Sequence, residues 1–301
     1  MDRLRAYEVF AAVIARGSFT RAADALDTSP ANVTRYINDL EAHLGVRLIN
    51  RTSRKLSLTE SGQALYDRTT LILDDVAEAE SIVSAGSLSP SGRLRINAPL
   101  SFGILHLAPL WPAFMAKYPN IDLDISLADR VVDLVEEGFD MGIRISRGGS
   151  GAYVARKLAV SRNILCAAPT YLNEHGTPRM PADLSEHRCI LNMQSPTPDV
   201  WSLTDKAGNE IQVRPTAGFR TNNGDTARAS MLAGGGINWQ PAFLVAGDLK
   251  EGTLVEVLPD YRLPDIDILA IYPSRRHLSA KVRVMVDFLS SAFKGVPDWE
   301  R

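Results

Sequence analysis

Residues 18–41, SFTRAADALDTSPANVTRYINDLE, carry apolar positions at a helical period that breaks once. Ala22, Ala23 and Leu26 share one face of a first short helix, with Thr20 available as its N-cap and Arg21 and Asp24 facing out. Asp27, Thr28 and Ser29 interrupt the pattern, and Pro30 stands where the first turn of a second helix tolerates a missing N–H. Val33, Ile37, Leu40 and Leu44 then form one apolar stripe, leaving Asn32, Thr34, Arg35 and Asn38 on the opposite face. Upstream, Leu4, Tyr7, Phe10, Val13 and Ile14 predict an amphipathic helix over 2–15 that ends at Gly17. A helix that packs by one face and presents short polar groups and an arginine on the other suits a DNA major groove. A helical hairpin in an ordinary core would show the same stripe, so the neighbouring sequence has to decide.

After Leu44 the period changes. In GVRLINRTSRKLSLTESG, Val46, Leu48 and Ile49 precede a polar basic tip, and Leu56 and Leu58 alternate with Ser57, which predicts a small β-hairpin beside the helix pair. From Thr59 a long helix is expected to run to Ala85, with Leu65, Thr69, Ile72, Val76, Ala79 and Val83 at alternating steps of four and three. No other helix near it in sequence offers a matching stripe, so it reads as a dimerising linker. SAGSLSPSG, residues 84–92, is the clearest boundary in the chain.

Beyond it, strand and helix alternate. RLRINA, IDLDISLA and MGIRI read as strands, Gly103 to Lys117 as a helix and Val131 to Glu137 as a short helix, which implies a mostly parallel sheet covered on both faces. A second set follows: YVARKLA, NILCAAP, CILNM, INWQ, TLVEVL and IDILAIYP as strands, EIQVRPTAGF as one or two more, and helices at YLNEHG, at Asp225 to Ala233, from Pro241 and from Ser279 to Phe293. Two α/β lobes joined by crossover strands, with a ligand cleft between them, account for this order.

Length and composition narrow the chemistry. With 301 residues and 45% hydrophobic positions the chain can fill two or three cores. The net charge of −2 argues nothing for nucleic acid, but the stretch from Ala42 to Thr59 has no acid and four bases, Arg47, Arg51, Arg54 and Lys55. Cys166 and Cys189 lie in no metal-ligand or CxxC spacing and read as small buried residues in a reducing, cytoplasmic setting. The start, MDRLRAYEVF, does not read as a signal peptide, and no apolar run is long enough to cross a membrane.

Together, AADALDTSPANVTRYINDLEAHLGVRLINRTSRKLSLTESG resembles the N-terminal winged helix-turn-helix of the LysR-type transcriptional regulators. FMAKYPNIDLDISLADRVVDLVEEGFDMGIRI, ARKLAVSRNILCAAPTYLNEHGTP, LSEHRCI, NNGDTARASMLAGGGINWQPAFLV and YPSRRHLSAKVRVMVDFL resemble that family's effector-domain segments. The resemblance covers essentially the whole chain. It implies an α/β protein: an all-α winged helix-turn-helix at 1–59, a linker and dimerisation helix at 60–88, and a two-lobed, periplasmic-binding-protein-like effector domain at 89–301. Lobe I would comprise about 91–163 and 269–301, and lobe II about 164–268. The implied partners are promoter DNA, a small-molecule effector and further copies of the chain as dimer or tetramer, with RNA polymerase a further candidate. No cofactor or metal is implied.

The family's residue roles carry over by position. Pro30, Ala31, Thr34 and Arg35 match groups that approach base edges, where arginine suits guanine O6 and N7 and alanine suits a thymine methyl. Asn32 departs from the small or apolar residue common there, which leaves open whether its amide reads adenine or backbone. Thr34 stands where Ser is usual and keeps the hydroxyl. Ser18, Thr20, Arg51 and Ser53 match phosphate contacts, and Arg54 a wing residue entering the minor groove. For the effector, similarity points to Leu100, Ser101 and Phe102 at a helix N-terminus, Arg144 and Ser146 at a strand end, and Gln194, Asn222 and Asn223 from the second lobe. The helix N-terminus and Arg144 together favour a small organic anion. Trp239 and Gln240 replace residues usually aliphatic in the family.

Two other classes fit less well. A hydrolase or dehydrogenase lacks a GxSxG motif, RGGSG and AGGGI lack the spacing of a dinucleotide loop, and the five histidines are scattered. A solute-binding protein would carry a signal peptide and no basic wing.

Overall fold

The computed structural model describes residues 1–52, 55–83, 90–148, 153–273 and 278–301. Contacts group them into two units, Met1–Ser89 and Pro90–Arg301.

In the first unit, α1 (Arg3–Arg16), α2 (Phe19–Ala25) and α3 (Pro30–Leu44) enclose Val9, Phe10, Val13, Ala22, Ala23, Val33, Ile37 and Leu40, all fully buried. Ser18, not Thr20, caps α2. An N-cap needs an extended backbone, which Ser18 has (φ −162, ψ 133), and its Oγ accepts the Arg21 N–H at 3.4 Å. Ser29 caps α3 in the same way, accepting the Asn32 N–H at 3.2 Å with Pro30 in the first turn. The wing follows as β1 (Ile49–Thr52) antiparallel to β2 (Lys55–Leu58). The Glu41 carboxylate ties it to α3, accepting the Leu48 and Ile49 N–H groups at 2.8 and 3.1 Å.

α4 (Glu60–Val83) starts against the wing. Thr59 Oγ1 accepts the Gly62 N–H at 2.9 Å and donates to the Arg47 carbonyl at 2.7 Å. Gly62 has to be glycine, since a Cβ there would stand 2.0 Å from the Leu48 carbonyl oxygen. Leu65 and Tyr66 pack into the core of the first unit, where Tyr66 meets Phe10 edge-on at 6.3 Å, and Thr69 is fully buried. The start of the seam therefore has a partner in its own chain, α1, which the sequence reading did not find. Ile72, one step further, is exposed.

The second unit opens with β3 (Gly92–Ala98) and a helical run that changes pitch: α5 (Leu100–Phe102), a π turn over Gly103–Leu107, a 3-10 turn over Ala108–Leu110 and α6 (Trp111–Lys117). Pro109 and Pro112 each remove a helical donor there. Next come β4 (Ile121–Leu127), β5 (Met141–Ser146), β6 (Tyr153–Ser161), β7 (Asn163–Ala167), α7 (Pro169–His175), β8 (Arg188–Asn192), β9 (Trp201–Thr204), β10 (Glu210–Val213), β11 (Thr216–Thr221), α8 (Gly224–Leu232), β12 (Asn238–Pro241), α9 (Ala242–Glu251), β13 (Val255–Glu256), β14 (Ile266–Pro273) and α10 (Ala280–Ala292).

One lobe is built on a five-stranded sheet of order β4-β3-β5-β14-β6. β3 runs parallel to β4 and β5, but β14 is antiparallel to both β5 and β6, so the sheet is mixed rather than mostly parallel. The reason is topological: β14 enters from the other lobe, not through a helix on this sheet. The helix expected over Val131 to Glu137 is only a turn. Val132 and Leu134 are both buried, and residues two apart share a face only in extended backbone. Asp133 then caps the turn by accepting the Val135 and Glu136 N–H groups.

The other lobe holds the sheet β12-β7-β13, the parallel pair β11-β8 and the hairpin β9-β10. Gly236 sits at φ 140 with its Cα so close to Arg188 that a Cβ would stand 2.2 Å from the Arg188 carbonyl oxygen. AGGGI is thus the exit from α8 to β12, squeezed beside β8, and not a phosphate loop. The chain crosses between lobes at Arg162, whose N–H donates to Glu300 Oε1 at 2.8 Å while its guanidinium pairs with Oε2 at 3.0 Å. One apolar core runs from Ile96 and Ile143 through Val282 and Met285 to Ile164, Met231 and Val245, joining both lobes. No described helix is long and apolar enough to cross a membrane.

Candidate functional site

On α3, Val33, Ile37 and Leu40 are buried while Pro30, Ala31 and Arg35 are exposed and Asn32 and Thr34 half-buried. Thr34 Oγ1 donates to the Pro30 carbonyl at 2.9 Å, so the hydroxyl keeps only its lone pairs for a partner. Asn32 Nδ2 donates to Thr28 Oγ1 at 3.3 Å, which holds the amide against the turn. The Arg35 guanidinium lies 5.9 Å from the centre of the Tyr36 ring. Ser18 spends its oxygen on the α2 cap, and Thr20 is exposed. Arg51 lies on β1 opposite Leu56. Ser53 and Arg54 lie outside the described residues.

The effector candidates divide into those bonded where the two lobes meet and those elsewhere. Ser101 Oγ donates to Asp225 Oδ2 in the other lobe at 2.5 Å. The Leu100 N–H donates to Asp129 Oδ1 at 3.0 Å, Asn223 Nδ2 donates to Asp129 Oδ2 at 2.9 Å, and Gln194 Nε2 donates to the Asp129 carbonyl at 2.9 Å. Asn223 Oδ1 meanwhile caps α8 by accepting the Thr226 N–H at 2.9 Å. Asn222 is exposed next to it.

Three candidates depart from the expected arrangement. Phe102 is fully buried among Phe243, Phe293, His106 and Trp299, because it lies on the face of the helix turned to the apolar core. Arg144 Nη1 donates to Asn97 Oδ1 at 2.8 Å and to the Ile143 carbonyl at 2.9 Å, and lies beside Gly142 with Leu134. Burial lowers its pKa, with Tyr153 and Glu137 opposing the shift. Ser146 Oγ donates to the Gly148 carbonyl at 3.3 Å. The Leu100 N–H thus meets a carboxylate of the chain itself, and Arg144 is engaged by an amide and by carbonyls.

Sequence reasoning missed Asp129 and Asp225, and it marked Gln240 only as a departure from the family. Gln240 Nε2 donates to Asn238 Oδ1 at 2.7 Å and reaches the Gly224 carbonyl at 3.4 Å, forming a buried amide chain under α8. The replacement of an aliphatic residue at Gln240 was a usable signal; nothing in the sequence near Asp129 or Asp225 marks them. Among the described residues no group of three or more His, Cys, Asp or Glu side chains could hold a metal. Burial pushes the Cys166 and Cys189 thiols up to about 12, so neither is a nucleophile at neutral pH.

Family comparison bears on both units. Residues 4–63 match the model for the bacterial regulatory helix-turn-helix protein, lysR family, and residues 87–294 match the LysR substrate binding domain. The chain belongs to the LysR family of transcriptional regulators. A helix-turn-helix transcriptional repressor of Pseudomonas aeruginosa strain UCBPP-PA14 is 37% identical over 99% of this chain and 94% of its own length. The regulator DmlR of Escherichia coli K12 is 37% identical over 95% and 92%. The structure of CrgA, a LysR-type regulator from Neisseria meningitidis, superposes with a TM-score of 0.62 at 32% identity, covering 97% of this chain and 99% of that one. As a LysR-family regulator the protein combines a DNA-binding helix-turn-helix with an effector-binding, two-lobed domain, and DNA, a small-molecule effector and copies of itself are its partners.

Proposed function

We propose that this regulator works in the cytoplasm, reads its operator through Ala31, Thr34 and Arg35 on α3, and holds it through phosphate contacts from the α2 turn and the wing. What supports this reading is the division of α3: Val33, Ile37 and Leu40 are buried in the core, while Leu44 at the end of the same stripe is exposed, and the opposite face carries Arg35, exposed, among the short side chains of Ala31, Asn32 and Thr34. Each face has one use. Asn32, tied to Thr28, serves the shape of the turn more than base recognition. We assign residues 1–59 to DNA binding, 60–88 to a linker through which two copies pair, and 89–301 to effector binding in the interlobe cleft. Ser101, Gln194, Asn222 and Asn223 are the candidates for its lining, and RNA polymerase is a further candidate partner at the promoter.

Genome-wide mapping of DNA fragments retained by the full chain, with Arg35→Ala in parallel, tests this. Discrete sites with an inverted half-site repeat are expected, and the variant should lose roughly tenfold or more in affinity for them, in line with about 1–3 kcal/mol for one arginine–guanine contact. Diffuse retention, or sites unchanged in the variant, would sink the base-reading role of α3.

A further inference from the structure

We infer that Asp129 is a built-in carboxylate that latches the two lobes together across the cleft. It belongs to the five-stranded lobe, two residues past β4, and is half-buried. Its side chain spans two helix beginnings. Oδ1 takes the Leu100 N–H at the start of the helical run after β3, and Oδ2 takes the side-chain amide of Asn223, the N-cap of α8 in the other lobe. Leu100 opens its helical run, so its N–H has no partner within the helix, and the α8 N-cap adds a side-chain N–H to the same carboxylate. The Asp129 main chain adds a third bond, from Gln194, and Ser101 to Asp225 a fourth. No arginine or lysine takes part in these four bonds.

The geometry makes each partner's chemistry specific. Asn223 must be an acceptor towards Thr226 and a donor towards Asp129, which an amide achieves with one side chain. Asp129 must be an acceptor on both oxygens. Changing Asp129 to Asn sets an NH2 against either the Leu100 N–H or the Asn223 amide; changing Asn223 to Asp sets two carboxylates against each other. Making both changes exchanges the roles: an Asn at 129 accepts from Leu100 and donates to an Asp at 223, and Asp caps a helix as well as Asn does. The latch therefore predicts that two harmful substitutions compensate.

Hydrogen–deuterium exchange on the full chain tests it, comparing wild type, Asp129→Asn, Asn223→Asp and the double variant. Peptides over 97–103 and 222–228 are expected to exchange at least roughly tenfold faster in each single variant and to return towards wild type in the double variant, while peptides over α1–α3 stay unchanged. Single variants within about twofold of wild type, or a double variant no slower than its parents, would overturn the latch. The regulatory meaning rests on the cleft being the effector site, but the exchange measurement tests the latch alone, and operator mapping tests the DNA reading separately.

Discussion

The His106 ring lies against Trp299 at 4.5 Å and Phe102 at 5.1 Å, and its Nε2 is 2.9 Å from the Phe243 carbonyl, which fixes that nitrogen as the N–H. Burial lowers its pKa, while the Phe243 hydrogen bond and the Asp298 charge oppose the shift. The unfolded chain, with a histidine pKa of about 6.5, then binds the proton first. The stability His106 contributes is complete above that value and is lost as the pH falls from it towards the folded pKa. A melting series from about pH 8 to about pH 5.5 should show a declining Tm that flattens in His106→Gln, whose amide keeps the donor to Phe243. An equally steep decline in the variant would assign the dependence elsewhere, His187 being the other imidazole that burial lowers.

Among the elements, the wing and α3 act as one piece because Glu41 joins them. Leu48 and Ile49 are buried, so Glu41→Ala strands two N–H groups and is expected to cost about 1–3 kcal/mol, lowering the melting of the first unit. Glu41→Gln keeps an acceptor oxygen and should stay near wild type; equal losses in both would show that charge, not acceptance, matters. Helices and most strands were legible in the sequence because each has its own period: Val33, Ile37 and Leu40 mark α3, and β14 spans the apolar run IDILAIYP. β9, four residues between turns, was too short to stand out, although Trp201 and Leu203 do alternate inward. The turn at 134–138 departs from the expected helix because Val132 and Leu134 both pack with Leu269 and Ile271 on β14, a strand that comes more than a hundred residues later.

At the scale of the whole molecule, a net charge of −2 with bases gathered in the wing makes DNA binding a local electrostatic event. If a dimer neutralises roughly six to eight phosphates, the log–log dependence of affinity on salt should have a slope of about −5 to −7. A filter-binding titration giving a slope near half of that would indicate one DNA-binding unit engaged per complex. The local order of residues was enough to read the helix-turn-helix, the wing, most strands and the family, since caps, breakers and apolar periods act over a few positions. The direction of β14, the burial of Phe102, the inward turn of Arg144 and the occupation of the Leu100 N–H by Asp129 were decided only by the tertiary structure. Each depends on a partner from a distant segment, and the free energy of a buried aromatic, a hydrogen-bonded guanidinium or a paired carboxylate is set by what surrounds it, which no short stretch of sequence specifies.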